Sequence, residues 1–586
     1  MHTNIIIVIL LSTTYVAEPI FVESDLKDIF QSLYGQYLQQ GIPFKENTYQ
    51  GNTPILREYD FIVIGAGPGG SVIANRLSEN NDSSVLILEA GQDESVFTDI
   101  PGAAPYLQST DYNWGYSAEP TDNGCLGREN QRCSLPKGKG LGGSSIINFM
   151  MYTRGSKEDY DSYAELGITG WSYKDVLPYF LKAENNSIPE YQNSEFHSNK
   201  GNLHVERIKY QTPLVDKFIE AGGELGLREN IDYTVEPENG ISRVQATTIN
   251  GYRMSSAKAY IRPVNNRQNL HVAIFCRVTK ILIDPQTKEA IGVEFVKKGK
   301  TRKVWAKKEV ILSAGPINSP QLLMLSGIGP KEHLEKHGIP VIQDLPVGKN
   351  LEDHYATIGL NFKINRTGVA INEQALSDRL VFDDWFNFGE GPLTLPGGVE
   401  GLGYIKTPAG KEVELIILSF SPTGDTFNIV PMLLLPDARG EVTLKDKNPG
   451  HWPIIHYGYY QNKSDLDTSV YSLKYIVKLV EETKAFEDLG ATADPVTISE
   501  CDKLQFKSDG YWACFAKYMT TSVHHQCGTC RMGDVVNNKL QVIGIKGLRV
   551  VDSSILPHVP RAHLYAPTVM VGEKAADLIK NDWSQN

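Results

Sequence analysis

A glycine-rich turn set between two short apolar runs limits most strongly what this chain can fold into. Tyr59-Asp60-Phe61-Ile62-Val63-Ile64 suits a strand buried on both faces, and Gly65-Ala66-Gly67-Pro68-Gly69-Gly70 follows it directly. Ser71 to Leu77 has helical spacing, and Val85-Leu86-Ile87-Leu88 reads as a second buried strand ending at Glu89. Strand, turn, helix and strand within roughly 30 residues form a mononucleotide-binding unit. In such a turn Gly65 permits the tight bend, Gly67 lets backbone approach a pyrophosphate, and Gly70 lets helix and strand pack closely. The helix N-terminus offers unpaired N–H groups and the positive end of its dipole to phosphate. Glu89 stands about 20 residues on, where a carboxylate accepts ribose hydroxyls. The pattern predicts a dinucleotide site and leaves NAD and FAD equally open.

Later segments narrow that choice. Gly138-Lys139-Gly140-Leu141-Gly142-Gly143-Ser144-Ser145-Ile146-Ile147-Asn148, continuing to Tyr152 and Gly155, resembles the first signature of the glucose–methanol–choline (GMC) oxidoreductases. Gly315-Pro316-Ile317-Asn318-Ser319-Pro320, running on to Gly329, resembles the second. His525-Gln526-Cys527-Gly528-Thr529 resembles the family's His-x-x-Gly-Thr element. The likeness runs from about residue 58 to 580, in matching order. It implies FAD as cofactor and a fold of mixed α/β and α+β character. That fold joins a Rossmann-like FAD-binding domain to an inserted substrate domain containing an antiparallel sheet.

The resemblance also implies a set of site residues. Gly65, Gly67, Gly70, Glu89, Gly140, Gly143, Ser144, Asn148, Val278, Asp552, Pro567 and Thr568 fall at cofactor-binding positions, and Asp111 to Trp114 resembles a short aromatic motif of the flavin-covering region. The residues themselves agree. Gly138 to Gly143 is almost bare of side chains, so backbone can lie against a flat ring, with Ser144, Ser145 and Asn148 offering hydrogen bonds.

Alcohol oxidation requires removal of the hydroxyl proton, a task suited to histidine because its pKa lies near neutrality. The Gly528-Thr529 anchor places His525, rather than His524, at the family's base position. Counting nine residues back from Gly572 gives His563, implied to orient the hydroxyl and stabilise developing alkoxide. Cys527-Gly528-Thr529-Cys530 is a C-x-x-C, but a closed zinc site needs four ligands, and neither a second C-x-x-C nor an H-E-x-x-H accompanies it. No metal site is expected.

The bulk properties fit a small-molecule enzyme. A net charge of −12, with no long lysine or arginine run, argues against nucleic-acid or anionic-membrane partners. Ile5 to Leu11 is apolar but far shorter than the ~20 residues that span a bilayer. It reads as the core of a secretory signal cleaved near Ala17. Asn81, Asn185, Asn365 and Asn462 open glycosylation sequons compatible with secretion. Among seven cysteines, Cys125–Cys133 and Cys501–Cys514 can each close a short loop, though connectivity stays open and the odd count leaves a thiol over.

The expected organisation is a signal peptide (1–17), an extension (18–57) and a FAD-binding domain in three parts (58–160, 241–345 and 521–586). A substrate domain is expected over 161–240 and 346–520. Strands are expected at Leu270–Ile274, Thr279–Ile283, Gly292–Phe295, Val310–Leu312, Glu414–Phe420, Met432–Leu435 and Gly547–Val551, with a long helix over Asp465–Thr483. Trp385, Phe386 and Phe388 read as core more readily than as pocket.

The texture of Asn113 to Pro120 and Gly389 to Thr394 resembles secreted insect enzymes of the glucose-dehydrogenase-like and salicyl-alcohol-oxidase-like group. The expected function is FAD-dependent oxidation of a primary alcohol (aromatic, terpenoid or sugar) to an aldehyde or lactone. Reoxidation by O2 would give hydrogen peroxide, and a quinone-like acceptor is the alternative. A non-redox lyase and an inactive binding paralogue remain as competing readings, and the assembly is expected to be a monomer or homodimer.

Overall fold

The computed structural model describes Tyr49, residues 53–235 and residues 240–584; the expected signal segment lies outside them. Two sheets organise the chain. The first has seven strands and is built from the apolar runs that sequence alone picked out. Leu270–Ala273, Val85–Leu88, Glu58–Ile64 and Lys300–Leu312 lie side by side in parallel, and Leu548–Val550 adds a further parallel strand beyond them. Strand Val85–Leu88 is buried along its full length, as a strand covered on both faces must be. Lys300–Leu312 changes partners along its 13 residues. Its first half closes an antiparallel meander with Glu289–Lys297 and Arg277–Asp284, and its second half pairs with Glu58–Ile64.

The helices over this sheet follow from small residues at the contacts. Pro68–Leu77 packs beneath the long C-terminal helix Tyr565–Ser584. There, a Cβ on Gly572 would sit 2.8 Å from the Val72 Cβ. Arg76 crosses the same interface and pairs with Glu573, which is fully buried.

The second sheet has nine strands and is almost wholly antiparallel. Its spine runs through Leu360–Lys363, Thr426–Leu433, Glu412–Leu418, Val399–Lys406 and Gly240–Arg243. Strand Gly240–Arg243 pairs with Val399–Lys406, so the chain of this sheet runs past residue 240. Strand Thr426–Leu433 starts well before Met432, because its first half alternates buried and half-buried residues and lacks a continuous apolar run. The long helix forms over Lys463–Glu481. At one margin, Tyr355–Thr357 pairs with both Thr426–Leu433 and Thr520–Ser522. That short ladder positions the chemistry described next.

Candidate active site

A cavity of about 1110 Å³ takes its walls from both sheets. On one side lie the C-terminal ends of the parallel strands, at Ile64, Leu88, Ser313 and Asp552, where ligands of open α/β sheets bind. On the other side stand Val399, Ile416, Leu418 and Val430 of the antiparallel sheet.

The glycine turn lies at the sheet end of this cavity. Gly65, Gly67, Pro68 and Gly69 line it. Helix Pro68–Leu77 begins there with Gly67 as N-cap, no capping side chain and no acid in its first turn, so its N-terminal N–H groups face the space without a protein anion. Glu89 also lines the cavity. Its two oxygens accept from the Ala66 N–H at 2.9 Å and the Gly91 N–H at 2.8 Å, and burial raises its pKa against those bonds.

The second loop lies against the first. Gly143 has a left-handed backbone (φ +56°), and a Cβ there would come within 2.6 Å of the Gly67 Cα. Gly143, Ser144 and Asn148 line the cavity, as do Val278, Asp552 and Thr568. Asp552 is buried and accepts from the Gly315 N–H at 2.9 Å, the Ser319 hydroxyl at 2.6 Å and the Ser554 N–H at 2.8 Å. Trp114, from the expected aromatic motif, lines the wall with Lys139 and Arg277 over its ring.

Three expected contact residues stand behind the wall. Gly70 packs against the turn, where a Cβ would meet the Gly65 carbonyl oxygen at 2.0 Å. Gly140 bridges to Gln92, and Pro567 lies inside helix Tyr565–Ser584. Of the aromatic trio, Trp385 is fully buried and donates to the Gly251 carbonyl, Phe386 packs against the same core, and Phe388 is exposed.

His525 and His563 both line the cavity, 171 and 209 residues beyond His354, which precedes the ladder strand Tyr355–Thr357. Their rings meet edge to face with centroids 4.6 Å apart. Antiparallel pairing of Tyr355–Thr357 with Thr520–Ser522, continued by a Glu352–Cys527 bridge, brings residues 352–354 alongside 523–527. His354 therefore meets His525, with Nδ1 to Nδ1 at 3.0 Å, and its Nε2 lies 2.8 Å from the Leu434 carbonyl. The backbone N–H of His525 donates to Asp353 Oδ1 at 2.7 Å. His563 Nε2 lies 3.3 Å from the buried Glu414 carboxylate, and its backbone N–H donates to the Thr153 hydroxyl. His354, Asp353 and Glu414 escaped the sequence reading. The only local signal was the Asp353-His354 pair, which nothing in the chain connects to residue 525.

Burial, followed by the neighbouring His563, His354, Lys137 and His524, pushes the pKa of His525 well below its ordinary value. Burial and His563 push His354 down to about 3. Both imidazoles are therefore neutral near pH 7. Lys137 donates to the His524 carbonyl at 2.6 Å, and burial lowers it to about 8.

Family models described as GMC oxidoreductase match residues 59–356 and 436–572. The chain is a GMC oxidoreductase. It is 39% identical over 549 residues to a glucose dehydrogenase [FAD, quinone] of Drosophila melanogaster, covering 90% of this chain and 87% of that one. It is 36% identical over 540 residues to an oxygen-dependent choline dehydrogenase of Sinorhizobium medicae, covering 89% and 95%. Among solved structures, a formate oxidase superposes with a TM-score of 0.82 at 25% identity, covering 90% of this chain and 99% of that one. An FAD-dependent oxidoreductase from Chaetomium thermophilum superposes with a TM-score of 0.80 at 25% identity, covering 90% and 100%. The two-sheet architecture is thus the GMC fold.

As a GMC oxidoreductase it is an FAD-dependent enzyme acting on CH–OH donors. The cavity fits that cofactor on its own terms. The uncapped helix start suits a pyrophosphate, and Ser313 Oγ and His524 Nδ1 are buried cavity-wall atoms with no protein hydrogen-bond partner. Among the described residues, no helix is long and apolar enough to cross a membrane.

Proposed function

We propose that this enzyme oxidises a primary alcohol with an apolar or aromatic body to the aldehyde, and is secreted. The observation that carries the reading is the edge-to-face pair of His525 and His563 in one cavity with the glycine turn. His525 takes the hydroxyl proton, for which a neutral imidazole within reach is the requirement. His563, steadied by Glu414 and Thr153, orients the hydroxyl and stabilises the developing alkoxide. Val399, Ile416, Leu418, Phe420 and Val430 give the substrate's carbon body an apolar wall that excludes water. FAD, when bound, supplies the hydride acceptor.

The first turn of helix Pro68–Leu77 would hold the cofactor's pyrophosphate, and Glu89 its ribose hydroxyls. Gly143, Ser144, Asn148, Val278, Asp552 and Thr568 would hold the remainder, with Gly70, Gly140 and Pro567 shaping the backbone behind them. In this reading the first sheet belongs to a FAD-binding domain and the second to a substrate domain, close to the boundaries expected from sequence.

Oxygen is the proposed electron acceptor, with hydrogen peroxide as product. The Drosophila relative, named for a quinone, favours a quinone-like acceptor as the second reading. Secretion is supported by the Cys125–Cys133 and Cys501–Cys514 disulfides, since such bonds persist in oxidising compartments. Asn81, Asn365 and Asn462 are exposed, as glycan acceptors must be.

The test is anaerobic flavin bleaching with aromatic, terpenoid and sugar alcohols. Bleaching by the aromatic or terpenoid class, followed by recovery in air with peroxide, is expected. Recovery only with a quinone would select the second acceptor. Intact flavin with every alcohol would overturn the oxidation reading.

A further inference from the structure

We propose that His354 is a positioning residue that fixes the tautomer of His525, leaving Nε2 as the bare nitrogen facing the cavity. The tautomers follow from a proton count along a three-group chain. His354 Nε2 lies 2.8 Å from the Leu434 carbonyl, an acceptor with no proton to give, so that nitrogen carries the hydrogen. A neutral imidazole has only one ring N–H. His354 Nδ1 is therefore a lone pair.

That lone pair faces His525 Nδ1 at 3.0 Å, with the two rings nearly perpendicular (87°). Two ring nitrogens at hydrogen-bond distance need one hydrogen between them, and His354 has none left for this side. His525 Nδ1 must supply it. His525 Nε2, on the opposite edge of a ring that lines the cavity, is then unprotonated and has no protein partner.

The remaining contacts keep the count from being reversed. His354 is completely buried, so its charged form, which would donate in the other direction, is disfavoured. The ladder pairing Tyr355 with Ser522, together with the Val523 N–H bond to the His354 carbonyl at 3.0 Å, holds the two backbones in register. Asp353, two residues before Tyr355, grips the His525 backbone. His525 thus has little freedom to turn its ring and exchange nitrogens.

The consequence rests on His525 being the base. When the alcohol O–H breaks, its proton forms an N–H at Nε2, and the oxygen keeps the electron pair. The resulting imidazolium still donates from Nδ1 to His354 Nδ1, a charge-assisted bond that is stronger than the neutral one it replaces. With the other tautomer, Nε2 would already carry hydrogen and could accept none.

The test uses holoenzyme labelled with 15N-histidine at neutral pH, with the His525 signals assigned by their loss in His525→Asn. Two variants separate acceptor from bulk: His354→Gln keeps an acceptor oxygen, and His354→Leu removes it. Wild type and His354→Gln are expected to show Nδ1 protonated and Nε2 bare. His354→Leu is expected to show mixed tautomers, with anaerobic flavin reduction slowed on the order of 10²-fold or more. A wild-type His525 protonated at Nε2 would overturn the proposal even if the leucine variant fails to fold. So would a folded His354→Leu that keeps both tautomer and rate. The spectrum needs no substrate, so the expected tautomer in an enzyme that bleaches with no alcohol counts against the alcohol reading and for the hydrogen-bond chain.

Discussion

The backbone N–H of His525 donates to Asp353 Oδ1 at 2.7 Å, inside a carboxylate that also accepts from Ser522, Gln526 and Tyr457. Burial raises the Asp353 pKa to about 6, and these donors, with Lys137 nearby, oppose that rise. Asp353→Asn would turn an amide N–H₂ toward donors that need an acceptor. Each unmatched buried group costs about 1–3 kcal/mol. The expected result is a lower Tm and flavin reduction slowed by roughly tenfold or more, with FAD still bound, because Asp353 does not line the cavity. Stopped-flow reduction beside a flavin absorbance spectrum checks both. Unchanged rate and Tm would refute it.

Two glycine-to-alanine changes should move stability in opposite directions. At Gly70 a Cβ would meet the Gly65 carbonyl oxygen at 2.0 Å, forcing helix and strand apart, so Gly70→Ala should cost about 3 kcal/mol and release FAD more readily. At Gly223, in helix Pro213–Glu224, a Cβ would meet nothing within 4 Å. Gly223→Ala should therefore gain about 0.5–1 kcal/mol from helix propensity alone. Denaturant unfolding of the two variants, with FAD fluorescence following release, compares them directly.

The cysteines give a chemical test of compartment and packing. Cys276, Cys527 and Cys530 are buried free thiols, and burial raises the pKa of each, so a thiol reagent should label none of them in the native protein. Denaturation without reductant should expose these three. Cys514→Ser opens the loop that leads through helix Asp509–Tyr518 to the strand before His525. A loss of about 2–4 kcal/mol is expected, measured by chemical denaturation. Native labelling would contradict the packing described.

What could be read from the sequence was what is local in the chain. The turn Gly65–Gly70, the buried runs on either side and Glu89 lie within one short segment, so their pattern carries its own geometry. His525 and His563 were found through motif positions and do meet in one cavity. His354 was not, because its contact joins residues 171 positions apart, and apolar patterning says which faces are buried but not which ladder aligns with which. Glu414 was hidden for a related reason. It is the fully buried one of two acids in strand Glu412–Leu418, and a buried acid signals a partner without naming it. Gly70 packs helix against strand behind the wall, the role its place in the turn implies, and Pro567 also stands behind the wall, since a motif marks a segment as a whole and does not say which atoms face the ligand.

Glu373 gives the sharpest pH prediction. Its carboxyl lines the cavity, is 7% exposed, and accepts from the Tyr106 hydroxyl at 3.3 Å. Burial raises its pKa to about 7, with the Tyr106 hydrogen bond acting against that rise. A carboxyl whose folded pKa lies above its unfolded value binds more protons when folded, so stability falls as pH rises through the interval between the two. The contribution is complete below about pH 4.5, declines through pH 5 and 6, and is spent above about pH 7. At 1.36 kcal/mol per unit, the swing is on the order of 3 kcal/mol. Glu373→Gln removes the titration and keeps the shape. It should match wild type near pH 4 and exceed it in stability at pH 8, with a Tm shift on the order of a few °C. Thermal unfolding of the two holoenzymes across that range reads the difference. A variant less stable than wild type at pH 8 would mean that the ionised carboxylate has a favourable partner in the fold, so that ionisation would stabilise the native state.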